Sequence, residues 1–136
     1  MARLDAAARG RLEREHNVWI VSVRPDGRPH IVPVWFVWAE ECFYVCVQPD
    51  SVKARNLRRD GRVALSLEDG SRPVICEGRA RFMEPPWPAG IATAFRRKYD
   101  WDLSTEADYT AMVEVVPDKW LLWGPSDAPA DSSGGS

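Results

Sequence analysis

The residues best placed to do chemistry lie in the stretch "SVKARNLRRDG", residues 51–61, between two segments that read as strands. Ser51 is a helix N-cap type, so the first-turn amides and the positive helix end would face any nearby anion. Lys53 falls in that first turn and can add a point charge. On a regular helix Arg55 lies about 200° round from Lys53, and Asn56 about 300°, back beside Lys53. Arg58 and Arg59 fall beyond the first turn and read as solvated, with Leu57 turned to the core. At the level of residue types, two readings stay open: a solvated basic helix and a socket for an anion.

A second stretch, "RPHIVPVWF", places Pro29 and Pro33 inside an apolar strand, where each removes one ladder donor. That puts the strand at an edge or bulge, with neighbouring backbone groups free to meet a ligand. The plainer alternative is an edge strand protected by proline. His30 alone reads as a hydrogen-bonded strand residue rather than a catalyst. There is no Gly-rich dinucleotide fingerprint, phosphate loop, paired-histidine zinc motif or nucleophile elbow. Acidic residues are scattered, and none has the apolar setting of a general acid. If the chain is an enzyme, a cofactor carries the reaction. No catalytic side chain is assigned.

Composition narrows the classes further. The 136 residues carry a net charge of −2, which argues against wholesale nucleic-acid or membrane-surface binding. No apolar run approaches the ~20 residues of a membrane helix. Cys42, Cys46 and Cys76 are odd in number and lack metal-type spacing, as expected for a reduced, cytoplasmic protein without metal. A small aromatic barrel with a basic helix can imitate a single-strand-binding platform; the acidic total argues against that.

The positioning elements follow from periodicity. Leu4 to Glu15 reads as an amphipathic helix with Leu4, Ala8 and Leu12 on one stripe. "NVWIVSV" and "HIVPVWFVW" read as strands joined at Pro25-Asp26-Gly27. A turn at Ala39-Glu40-Glu41 leads into "CFYVCVQ". "RVALSLE", a turn at Asp69-Gly70 and a strand from about Pro73 to Met83 follow the basic segment. A helix over Ala89–Tyr99 and an unclear acidic piece precede two final strands, "YTAMVEVVP" and "KWLLWG". The fold class is mostly β: a six- to seven-stranded antiparallel barrel with flanking helices, one domain over residues 1–124, and a disordered tail over 125–136. In the second strand His30, Val32, Val34, Phe36 and Trp38 share one face, and Ile31, Pro33, Trp35 and Val37 the other. Two apolar faces call for a second covering, most simply a partner subunit.

"DGRPHIVPVWFVW" followed by "VQPDSVKARNLRRDGRVAL" resembles the pyridoxamine 5′-phosphate oxidase-like split barrels, in particular the short oxidoreductases that use the deazaflavin F420 or FMN. The resemblance covers residues 12 to 84, and strand order extends it to Trp123. It implies a homodimeric FMN-binding split barrel with cofactor sites at the subunit interface. The phosphate is then held by Ser51, Lys53 and Arg55, with Asn56 beside them. The ring lies along the backbone of the strand that includes His30, Val32, Pro33, Val34 and Trp35, and along Val47 and Gln48; relatives commonly have threonine or serine near Gln48. Trp87, Trp120 and Trp123 are candidates to cover the ring from the opposite subunit, and Arg58, Arg59 or Arg62 to line a groove for a longer acidic tail. The C-terminal substrate motif of true pyridoxamine phosphate oxidases is missing, and so are the extra histidines of haem-handling relatives. The resemblance therefore points to hydride transfer from F420, with FMN as the alternative, to a small hydrophobic acceptor. A non-catalytic carrier of the same cofactor is the competing expectation.

Overall fold

The computed structural model describes residues 3–123. The tail over 125–136 lies outside them. Helix α1 (Ala6–Arg14) is shorter than the periodicity implied, because Asp5 caps it by accepting from the Ala8 amide at 2.8 Å. The remaining elements, in order, are β1 (Asn17–Val23), β2 (Pro29–Trp35), β3 (Val37–Ala39), β4 (Cys42–Val47), α2 (Val52–Arg59), β5 (Arg62–Leu67), β6 (Val74–Met83), α3 (Ala89–Tyr99) and β7 (Ala111–Leu122). The strands form one antiparallel seven-stranded sheet in the order β2-β1-β5-β6-β7-β4-β3. The sheet curls so that its two ends, β2 and β3, are successive in the chain. Pro29 and Pro33 are on an edge strand, as their missing N–H groups require.

The turns form where glycine and acidic residues predict them. Gly27 has φ +90°, and the Arg24 amide closes the hairpin on the Arg28 carbonyl at 2.9 Å. Glu40 and Glu41 both adopt positive φ in the next tight turn. Inside the curl, Val18, Ile20, Val45, Val47, Leu65, Cys76, Val113 and Val115 form the main core, sealed by α1 and α2. Outside it, α3 lays Ile91 and Phe95 over Val37, Tyr44, Cys46 and Met112 as a second cluster.

Two strand assignments are corrected. "HIVPVWFVW" is not one strand, because it breaks at Phe36, which carries the chain from one sheet edge to the other. The Phe36 amide donates to the Tyr99 hydroxyl at 3.0 Å. Its carbonyl receives that hydroxyl at 2.8 Å and the Lys98 amine at 3.0 Å. Side chains of α3 thus replace the ladder where no strand can pair. The division into two faces survives the break: Val32, Val34, Phe36 and Trp38 pack in the main core, while Val37 joins the outer cluster. "YTAMVEVVP" and "KWLLWG" are likewise one strand, β7. Pro117 does not end it because the register shifts there: Glu77 pairs with Lys119 and Gly78 with Pro117, leaving Asp118 as the extra residue.

Lys98 gives the fold a pH dependence. Its amine also reaches the Leu12 carbonyl at 3.3 Å and lies 3.8 Å over the Phe36 ring, and burial lowers its pKa to about 8. The unfolded value is about 10.4, so between these values the unfolded chain binds more protons and stability rises with pH. Lys98→Met removes this dependence. Urea unfolding at pH 7, 8.5 and 10 is expected to show the wild type gaining on the variant as pH rises; a constant difference contradicts the assignment.

Candidate functional site

A cavity of about 450 Å³ opens where β2, the start of β1, β4 and α2 meet the segment after α3. Pro33, Val34 and Trp35 of β2 form one wall and Lys53 of α2 another. Four of the residues singled out from the sequence therefore converge here. Their placement follows from local structure. The prolines leave the edge open, and the cap at Ser51 starts α2 so that Lys53 turns inward while Arg55 is exposed and lies outside the cavity wall. Lys53 is half-buried and has no hydrogen-bond or ion-pair partner among the described residues, and burial lowers its pKa. A desolvated ammonium without a counter-charge is the setting in which an anionic group gains most.

The other sequence candidates are distributed around this cavity. The Ser51 hydroxyl accepts from the Ala54 amide at 3.2 Å and donates to the Gln48 carbonyl at 2.8 Å, so it shapes the helix start. Gln48 and Ser51 line an adjoining groove of about 410 Å³ together with Asp50 and Asp108. Val47 is fully buried and is paired with Ala111, so its side chain belongs to the core. Val32 also packs on the core. His30 sits across the ladder from Ser22, with its buried Nδ1 lacking any partner; burial, then Arg24 and Lys53, lower its pKa. The unpartnered Lys53 ammonium and the orphaned His30 nitrogen fit a phosphate-bearing cofactor.

Asn56 is buried, and its Nδ2 donates to the Ser22 hydroxyl at 3.0 Å, which ties α2 to β1. Asn56→Ala is expected to cost about 1–3 kcal/mol in denaturant unfolding, since it leaves the buried Ser22 hydroxyl unmatched. A loss under ~0.5 kcal/mol would contradict that tie.

Three arginines have partners within the chain. Arg58 donates to the Pro49 carbonyl and lies 4.2 Å from the Phe82 ring centroid, Arg59 donates to the Val23 carbonyl, and Arg62 pairs with Asp60 at 2.7 Å. Among the tryptophans, Trp120 packs on Trp38 and Phe43, and Trp87 donates to the Met83 carbonyl at 3.3 Å within the outer cluster. Trp123 is half-buried at the end of β7.

Sequence reasoning missed Asn17, Cys46, Trp101, Glu106 and Tyr109, which complete the cavity wall. Glu106 accepts from the Trp101 indole nitrogen at 2.9 Å and from the amides of Asp108 and Tyr109 at 3.0 Å, and the Tyr109 amide above all holds its carboxyl below the usual range. Burial pushes the Cys46 thiol up to about 12. At neutral pH Glu106 is ionised and has no proton to give, and the Cys46 thiol holds its proton too tightly to act as a general acid. The available signal was two aromatics, Trp101 and Tyr109, bracketing a carboxylate in a segment that reads only as acidic.

Comparison with known proteins identifies the family to which this fold belongs. Residues 4–124 match the family model for pyridoxamine 5′-phosphate oxidase. The chain is 35% identical over 80 residues to an F420H2-dependent biliverdin reductase of Mycobacterium tuberculosis, spanning 57% of this chain and 58% of that protein. Among solved structures, an F420 reductase superposes with a TM-score of 0.68 at 26% identity, covering 82% of this chain and 93% of that one. HutZ, a haem storage protein of Vibrio cholerae, superposes with a TM-score of 0.74 at 18% identity over 90% of this chain and 98% of that one, a likeness of fold alone. With the family model matched across nearly all the described residues, the chain belongs to the pyridoxamine 5′-phosphate oxidase family.

Proposed function

We propose that the protein is an oxidoreductase that binds F420, or FMN as the alternative, and serves a small hydrophobic acceptor. The observation that carries this reading is the unpartnered Lys53 ammonium, set in a cavity whose facing wall is the proline-bearing edge strand. Similarity to an F420H2-dependent biliverdin reductase and an F420 reductase supports F420. When bound, such a cofactor supplies a hydride. Lys53 then binds its phosphate, with Ser51 shaping the helix start, Asn56 fixing α2 and Arg55 meeting the phosphate from outside the cavity. The backbone of Val32–Trp35 supports the ring, with the end of β4 at Val47-Gln48 beside it, and the tryptophan-lined wall keeps water away from the reacting face. Solvent provides the proton, because Glu106 is already ionised and the buried Cys46 thiol is too weak an acid to give one up.

The reading extends to a homodimer. Trp19 and Ile31 are 37% and 56% exposed on the outward face of β1 and β2, a patch that a second copy of the chain would cover.

The test is to add F420 and FMN separately to the purified protein and follow tryptophan fluorescence, which seven tryptophans make sensitive. Tighter binding of F420 supports the favoured cofactor, and binding of neither sinks the proposal. A bound cofactor that is reduced chemically but reoxidised by no acceptor in a panel identifies a carrier instead.

A further inference from the structure

One face of the Trp35 indole is already taken. It stacks on the Tyr99 ring with centroids 4.4 Å apart and planes within 9°. Trp101 meets Trp35 edge-on at 5.8 Å and 78°, and Trp101 is itself held through its indole nitrogen by Glu106. Trp35 nevertheless stays 48% exposed and lines the cavity that contains Lys53. Tyr99 is anchored to backbone: its hydroxyl lies 2.8 Å from the carbonyls of both His16 and Phe36 and accepts from the Phe36 amide at 3.0 Å. The residue that clamps the indole is thus pinned to the position immediately after Trp35. An exposed tryptophan at a strand end would otherwise sample several rotamers.

We propose that Tyr99 is a positioning residue: it holds Trp35 so that the free indole face forms a platform for the flat conjugated ring of a ligand. The ring belongs either to the cofactor or to its acceptor, both of which must be planar and conjugated to stack there. An alkyl ligand gains nothing from a fixed indole plane, whereas an aromatic ring gains from a defined offset stack. The inference rests on reading the cavity as a flavin or deazaflavin site. Tyr99 touches no ligand in this scheme and acts through Trp35.

Three variants test it: Tyr99→Leu removes the stacking partner, Tyr99→Phe keeps the ring and drops the hydroxyl, and Trp35→Ala removes the platform. Each is titrated, at a temperature where it is folded, with FMN, with F420 and with inorganic phosphate. It is then assayed with menadione as a planar acceptor at saturating cofactor. Tyr99→Leu and Trp35→Ala are expected to weaken ring binding about fivefold, the size of one aromatic stacking contact, with phosphate affinity unchanged. Tyr99→Phe should fall nearer the wild type. If cofactor affinity shifts, the ring on the platform is the cofactor's; if only the menadione KM rises, it is the acceptor's. Wild-type cofactor affinity and menadione KM in Tyr99→Leu overturn the inference. So does an equal loss of phosphate affinity, which marks a merely structural role. If Tyr99→Leu does not fold, Tyr99→Phe carries the positioning test through acrylamide quenching. Trp35 fluorescence, read as the difference from the Trp35→Ala background, is expected to become more accessible when the anchor is lost; unchanged access overturns the inference. A wild-type protein that binds neither FMN nor F420 overturns the cofactor reading itself, and is recognised before any variant is compared.

Discussion

Lys53→Ala is expected to weaken binding of F420 and FMN by roughly 10- to 100-fold, the range of a charge-assisted contact made in a partly dry site. The effect should fall on binding alone. Lys53 makes no hydrogen bond or ion pair among the described residues, and its half-buried amine is stabilised by nothing it would leave behind. Its removal should therefore leave the unfolding midpoint unchanged or slightly raised. Calorimetric titration of the variant with each cofactor checks the prediction, and unchanged affinity would sink the phosphate assignment. Arg55→Ala makes the informative companion. Arg55 is exposed and lies outside the cavity wall, so any loss there reports a phosphate that extends beyond the cavity.

The largest stability effect should come from Gly78→Ala, a change of one methyl group far from the cavity. A Cβ at residue 78 would lie 2.4 Å from the Val116 carbonyl oxygen and 3.2 Å from the Pro117 Cα, both backbone atoms that cannot swing away. The close approach falls at the register shift between Glu77 and Gly78, where Gly78 pairs with Pro117. Overpacking of this kind costs about 3 kcal/mol at the upper end of its usual range. A thermal midpoint roughly 10 °C lower is expected for a domain of this size. A loss below ~1 kcal/mol would mean that the bulge can open to admit a side chain.

Both parts of the molecule were legible where the controlling interaction is local. Asp26-Gly27 requires positive φ, alternation sorts Val18, Ile20 and Ser22 from Trp19 and Val21, and two prolines mark the edge. On the cavity wall, Lys53 and the proline strand could be named because a lysine in a first helical turn and prolines within a strand stand out by residue type. What stayed hidden depends on distant partners. Nothing in "VPVWFVW" marks Phe36 as a break, since every neighbour is apolar; the break is imposed by Tyr99 and Lys98, more than sixty positions later. Pro117 reads as a strand terminator until Gly78, on another strand, supplies the room for a bulge. Trp101, Glu106 and Tyr109 lie in a segment with no periodicity, so their convergence on the cavity had no sequence signature beyond aromatic spacing. The outward face of β2 reads as apolar, and Ile31 and Trp35 are exposed on it.

The junction at Phe36 also bears on the order of events in folding. It joins the first and last strands of the sheet order, so the sheet can curl fully only after β1, β5, β6, β7 and β4 have paired and α3 has docked. Docking α3 on that junction brings together residues more than sixty positions apart, so it is entropically late. The Phe36 amide, held by a side-chain hydroxyl instead of a ladder partner, should exchange its hydrogen faster than the amides of Val18 or Val113. That exchange would report a local opening next to Trp35, on the wall of the cavity.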